Sequence, residues 1–199
     1  MDIGSSRTTL LVGEPDEDGT MRVLGRGCVE TMGVRKGLVI NLEHASQSVA
    51  QAVGKVVDEK KFDIGRVLLS ASGGYVSSMT NHGSLPIRSR DRLVTVEDID
   101  DVANITQEVA LPSPTSIRLH SIRQKFKIDN QGGIANPEGL KGSMLGLGML
   151  VIYSEKGPVD NLQSAAVSAS LDIEDVVFGA LAASHATLSQ EQMAAGVAL

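Results

Sequence analysis

Two apolar runs, TTLLVGE and MRVLGRG, stand on either side of PDEDGT, and this arrangement leaves the start of the chain little conformational choice. The Asp18-Gly19 pair supplies the positive φ angles that a tight hairpin connection needs, so residues 7 to 29 are expected to form two antiparallel strands. The period then changes. From Asn41, read as an N-cap, the apolar residues Leu42, Ala45, Val49, Ala52, Val53, Val56 and Val57 recur three or four apart. Glu43, Gln47, Lys55, Glu59 and Lys60 occupy the other faces, as in an amphipathic helix. RVLLSASGG follows as a buried strand closed by a sharp turn at Gly73-Gly74. Strand, hairpin, helix and strand in this order describe an α/β layer. Between hairpin and helix, GVRKGLVINLE reads as a glycine-bounded loop whose Arg35 and Lys36 are either solvated charges or a contact surface.

Beyond Gly74 the texture shifts. YVSSMTNHGSLPI reads as an irregular extended segment bent at Asn81 and Gly83. LVTVEDIDDV carries Thr-x-x-Asp, Thr95 to Asp98, a pattern that caps a helix by pairing side chains with free backbone N–H groups. Val96, Ile99, Val102, Ile105 and Val109 line that helix, and LPSP ends it. In SIRLHSIRQKFKID the residues Ile117, Leu119, Ile122, Phe126 and Ile128 alternate with polar ones, as in strands exposed on one side. The turn-rich NQGGIANPEGLKG leads to the uncharged run GSMLGLGMLVIYS. Its thirteen residues fall short of the ~20 that span a bilayer as a helix, so it is expected to be a buried strand. Past EKGP, Pro158 suits the first turn of an alanine-faced helix. LDIEDVVF then reads as a strand, GALAASHATLS as a helix, and GVAL as the beginning of another apolar run.

Composition narrows the function. With 42% hydrophobic and 21% charged residues the chain reads as ordinary globular protein rather than disordered or membrane-embedded. Only 3% of residues are aromatic and the net charge is -6, so neither stacking platforms nor a basic stripe is available for nucleic acid. The single cysteine, Cys28, cannot form an internal disulfide, and four scattered histidines give no metal-ligand spacing, which fits a reducing cytosol. No basic segment followed by an apolar core opens the chain, so no export signal is expected. Met1 leads directly into the polar turn, which suggests a trimmed start.

The opening DIGSSRTT is where chemistry can sit. An aspartate at a strand end, a glycine that lets backbone approach an anion and two hydroxyl residues can aim N–H and O–H donors at phosphate oxygens. Asp2 could hold a hydrated Mg²⁺ through water, and Arg7 could add charge. The plainer alternative is a polar turn capped by serines. Nothing in the chain matches a P-loop or a dinucleotide-binding glycine fingerprint.

DIGSS, GVRKGLVINLE, VLLSASGGYVSSMTNHGSLPI, TVEDIDDV and NQGGIANPEGLKG resemble, in order and over essentially the whole chain, the N-terminal half of FtsA, the actin-like bacterial division protein. The resemblance implies an α/β, actin-like (ribonuclease H-like) subdomain 1A, formed by residues 1–74 and 156–199. A small α+β subdomain 1C would be inserted at 75–155. It further implies ATP and Mg²⁺ held with the help of Asp2, Gly4, Ser5, Ser6 and Arg7, which stands where the family commonly has lysine. It implies self-association into filaments, partnership with FtsZ and later division proteins, and a cytoplasmic protein peripheral on the inner membrane at the division site. The FtsZ-binding region, the second phosphate loop and the amphipathic membrane helix would lie beyond the stretch present here, so this chain alone is not expected to be an active ATPase. Arg118, Arg123, Lys125 and Lys127 gather positive charge in the insertion and are the candidate polymer or partner contact. The sequence departs from the family at HSIRQK and at Leu150, where histidine is common; His120 is assigned no role. A pilus-assembly protein of the PilM kind, or another actin-superfamily ATPase such as a kinase or chaperone, is the alternative.

Overall fold

The computed structural model describes residues 1–60, 64 and 66–198. In chain order it contains strands β1 (Asp2–Ile3), β2 (Arg7–Pro15), β3 (Met21–Glu30), β4 (Val34–Arg35) and β5 (Leu38–Val39), then helix α1 (Leu42–Lys60) and strand β6 (Arg66–Ala71). Next come β7 (Val76–Pro86), α2 (Val96–Gln107), β8 (Ser116–Ile128), β9 (Gln131–Ile134) and β10 (Met144–Glu155). α3 (Lys156–Val167), β11 (Asp172–Phe178), α4 (Gly179–Thr187) and α5 (Gln190–Ala195) follow. The chain divides into two compact units, Met1–Val76 with Ser154–Leu199, and Ser77–Tyr153.

The first unit is built on a five-stranded sheet of order β11-β6-β1-β2-β3. β1, β2 and β3 run antiparallel, whereas β6 is parallel to β1 and β11 is parallel to β6. The β2–β3 hairpin turns as its residues require: Gly19 takes φ 82°, and the Asp18 carboxylate accepts from the Thr20 N–H at 3.0 Å. The helical period also holds. Asn41 Oδ1 accepts from His44 N–H at 2.9 Å at the start of α1, and Ala45, Val49, Ala52 and Val56 are fully buried. The side chains of Val57, Glu59 and Lys60, counted on the same helix, and Leu199 of the final apolar run lie outside the described residues. Across β3, α1 comes so near that a Cβ on Gly27 would meet the Ala52 carbonyl. α3 adds Val159, Leu162, Ala165 and Ala166 to the same core. A fully buried valine or leucine contributes about 1.5–3 kcal/mol over an exposed one, so α1 and α3 fix which face of the sheet is the inner one. The outer face keeps Leu11, Met21, Val23 and Leu68 exposed.

GVRKGLVINLE is more than a loop: β4 and β5 pair as a short ladder, Val34 with Val39 and Arg35 with Leu38. Its turn places Lys36 at φ 51° and Gly37 at φ 77°. Buried Val34 anchors the ladder, and two residues per strand give too little periodicity to be read from sequence.

The second unit is a four-stranded sheet, β7-β10-β8-β9, with α2 contributing to its core. Leu85, Val102, Phe126, Leu145, Leu147 and Met149 are central to that core. α2 begins at the anticipated capping box: Thr95 Oγ1 accepts from the Asp98 N–H at 3.2 Å, and the Asp98 carboxylate accepts from the Thr95 N–H at 3.0 Å. YVSSMTNHGSLPI differs from its expected irregular form, because eleven of its residues make the continuous strand β7. Asn81 does not bend it; its side-chain amide donates to the Thr106 carbonyl at 2.8 Å. Gly83 does not bend it either, since the Thr106 side chain occupies the space where a Cβ would be. Tertiary packing against α2 thus overrides the turn preference of both residues.

Candidate functional site

The opening residues occupy the middle of the first unit's sheet, where chain direction matters. β1 pairs with β2 through Asp2–Thr9 and with β6 through Asp2–Ser70, and Ser70 in turn pairs with Val177 of β11. Thr9, Asp2, Ser70 and Val177 therefore form one row across four strands. Paired residues in adjacent strands share a face of the sheet, and these four line a single pocket of about 540 Å³. Leu11, Leu68, Ser72, Gly179 and Ala183 are also in its wall. The parallel strands β1, β6 and β11 end at this level, which is where open α/β sheets place ligands.

Immediately after β1, the chain reverses over Gly4–Arg7, with the Gly4 N–H donating to the Arg7 carbonyl at 3.0 Å. A Cβ on Gly4 would lie 3.1 Å from that carbonyl and 3.4 Å from Asp2 Oδ2. Ser5, Ser6 and Arg7 are exposed at the turn. Ser5 Oγ accepts from the Gly37 N–H at 2.9 Å, which ties the turn to the tip of the β4–β5 ladder. Its own proton remains available to an acceptor. The Ser6 carbonyl accepts from the Thr31 N–H at 3.0 Å. The structure thus brings Asp2, Gly4, Ser5, Ser6 and Arg7 together, with Asp2 in the pocket and the rest on the turn beside it.

Sequence reasoning missed the partners that the sheet supplies. Gly37 approaches the Ser72 carbonyl where a Cβ would stand, and a Cβ on Gly73 would lie 2.6 Å from the Tyr75 ring. Burial raises the Tyr75 hydroxyl above the ordinary tyrosine range; the Ser72 backbone offsets this in part, and the Asp2 carboxylate adds to it. Ser70 and Ser72 looked like small strand fillers in LLSASGG. The β1–β6 register makes Ser70 the neighbour of Asp2, and Ser72 lines the same pocket. Among the described residues no group of three or more His, Cys, Asp or Glu could hold a metal ion directly.

The four basic residues singled out on β8 separate into two sets. Arg118 donates to the Gln107 carbonyl at 2.8 Å and the Val109 carbonyl at 3.1 Å, so its guanidinium satisfies backbone at the end of α2. Arg123, Lys125 and Lys127 are exposed. Lys125 and Lys127 border a groove of about 370 Å³ with His82, Ser84, Gly146 and Gly148. Among the described residues no helix is long and apolar enough to cross a membrane.

The family description "SHS2 domain inserted in FTSA" matches residues 73–153. "Cell division protein FtsA" of Pseudomonas aeruginosa is 31% identical over 199 residues, covering 100% of this chain and 47% of that protein. The Borreliella burgdorferi protein of the same name is 30% identical over 99% of this chain and 48% of its own length. Its Escherichia coli K12 counterpart is 29% identical over 99% of this chain and 46% of its own length. The chain spans about half the length of these relatives. A chain of the solved "PilM-PilN type IV pilus biogenesis complex" superposes with a TM-score of 0.51 and 14% identity, over 92% of this chain and 48% of that one. The fold is therefore α/β and actin-like, a mixed five-stranded sheet whose β6 and β11 are separated in sequence by an inserted SHS2 domain. Across its whole length the chain is similar to FtsA proteins.

Proposed function

We propose that this chain supplies the first phosphate-binding half of an ATP-dependent, filament-forming division protein that links FtsZ to the cytoplasmic face of the inner membrane. The observation that carries the reading is the Gly4–Arg7 turn at the end of β1, beside the Asp2 carboxylate and at the C-terminal level of three parallel strands. Backbone N–H groups, the Ser5 and Ser6 hydroxyls and Arg7 would hold phosphate oxygens there, and Asp2 would hold Mg²⁺ through water. Bound Mg²⁺ would neutralise phosphate charge. Each of these residues binds or orients; none acts as an acid or base. A PilM-like role in pilus assembly is the second reading, supported by the fold likeness alone.

Gly4→Val tests the first reading in a chain of the relatives' full length. The new side chain meets the Arg7 carbonyl and the Asp2 carboxylate and occupies the approach to the turn. Calorimetry is expected to show ATP affinity reduced beyond detection while circular dichroism is unchanged; retained affinity would refute the reading. A separate test addresses filaments. The exposed Arg123, Lys125 and Lys127 lie in a chain of net charge -6 and would meet an acidic counterpart in the polymer. Reversing Arg123 and Lys125 to Glu should weaken filament formation on a lipid layer, seen by electron microscopy, without changing nucleotide affinity. Unaltered filaments would remove this surface from the polymer.

A further inference from the structure

We propose that the Ser70 and Ser72 hydroxyls are a second set of phosphate donors inside this chain, which take the terminal phosphate of a nucleotide, or inorganic phosphate, from the side of β6 and α4. The proposal rests on the phosphate reading of the Gly4–Arg7 turn and extends it to residues that no sequence motif marks.

Ser70 is the direct register neighbour of Asp2 across β1 and β6. Both serines line the pocket that Asp2 enters. Four other serine hydroxyls of this unit are committed to helix backbone: Ser46 donates to the Leu42 carbonyl, Ser48 to His44, Ser168 to Ser164 and Ser184 to Leu181. Neither the Ser70 nor the Ser72 hydroxyl has a hydrogen-bond partner among the described residues. Two unengaged donors thus face one cavity that Asp2 and Thr9 also line and that Leu11, Leu68, Val177 and Ala183 give an apolar side. Such a wall lowers the local dielectric and strengthens a hydrogen bond to a charged acceptor.

The position of Gly179 fits the same ligand. A Cβ there would lie 2.6 Å from Ser70 Oγ and would also strike Ser72 Oγ, so glycine keeps the space between the two hydroxyls and the chain open. Gly179 is also the first residue of α4, a nine-residue helix whose N-cap, Phe178, provides no side-chain cap. The positive end of that helix adds to the field at an anion held by the serines. Asp2 opposes a bare anion in the same pocket. A phosphate accompanied by hydrated Mg²⁺ meets both requirements, with oxygens toward the hydroxyls and the cation toward the carboxylate.

The test is an amide-resolved NMR titration of this chain with inorganic phosphate, with and without Mg²⁺. The amides of Gly4, Ser5, Ser72, Gly179 and Ala180 are expected to shift on one shared binding curve, which Mg²⁺ moves to lower phosphate concentration. Replacing Ser70 and Ser72 together by Ala should weaken that curve roughly tenfold or more, the loss of two charge-assisted hydrogen bonds. Unmoved amides at Leu10, Ala45, Val49 and Leu162, in the core of the first unit, would show that the variant is folded. Shifts confined to Gly4 and Ser5, or an unchanged curve in the double variant, would overturn the serine assignment and leave the turn reading standing. Shifts at Ser72 and Gly179 without Gly4 and Ser5 would remove the turn and, with it, the two-sided site. Silence at all five amides overturns the proposal, while the turn is judged by the Gly4→Val calorimetry.

Discussion

Gly27→Val is expected to cost the first unit roughly 3 kcal/mol or more, enough to unfold a marginally stable domain. At this point on β3 the helix α1 crosses with its backbone against the strand. An added Cβ would meet the Ala52 carbonyl oxygen and lie 2.9 Å from both the Ala52 carbonyl carbon and Val56 Cγ2. The obstacle is main chain, so no rotamer change relieves it. Relief requires α1 to lift, and Val49, Ala52 and Val56 are fully buried beneath it. Urea unfolding followed by circular dichroism would read the change as a lower midpoint. Gly74→Ala is the control: nothing lies within 4 Å of its added Cβ, so its effect should stay within about 0.5 kcal/mol. Equal midpoints for the two variants would refute the close-approach account.

Removal of Ser77–Tyr153, with Val76 joined to Ser154 through a short linker, is expected to eliminate the β7-β10-β8-β9 sheet completely and leave the five-stranded sheet folded. The inserted unit has its own core, from Leu85 through Val151. Its flanking residues already meet within the first unit, where the Glu155 N–H donates to the Tyr75 carbonyl at 3.4 Å. Replacing a long closed loop by a short one changes closure entropy by only about 1–2 kcal/mol. Amide exchange should show protection retained at Ile3, Leu10, Leu69 and Val176. Cooperative loss of that protection would mean that the two units share one core.

What could be read in advance follows from how far each signal reaches along the chain. The Asp18-Gly19 hairpin, the α1 stripe from Ala45 to Val56 and the Thr95–Asp98 box depend on residues a few positions apart, and all three formed as anticipated. β7 was misjudged because Asn81 and Gly83 carry turn preference locally, while their partner, Thr106, lies more than twenty residues away. The same limit applied at the site. Asp2, Gly4 and Ser5 are contiguous and could be singled out together; Ser70 joins them only through parallel pairing. Arg118 resembled Arg123 and Lys125 as a basic residue of one strand, but two backbone carbonyls near the end of α2 claim it. Charge was legible in the sequence; its employment was not.

The parallel pairing of β6 with β11 also has a consequence for synthesis. β6 ends at Ala71 and β11 begins at Asp172. A ribosome adding roughly 5–20 residues per second takes on the order of 5–20 s to pass from one to the other. Throughout that interval β6 can pair with β1 on one side only, and its other edge presents unpaired N–H and C=O groups to any neighbouring nascent chain. The intervening unit has a core of its own, and small domains commonly fold faster than this. It can therefore be compact before β11 emerges to seal the edge. The insertion sets a delay in the assembly of the sheet around it, and crowded polysomes should be most prone to aggregation in that window.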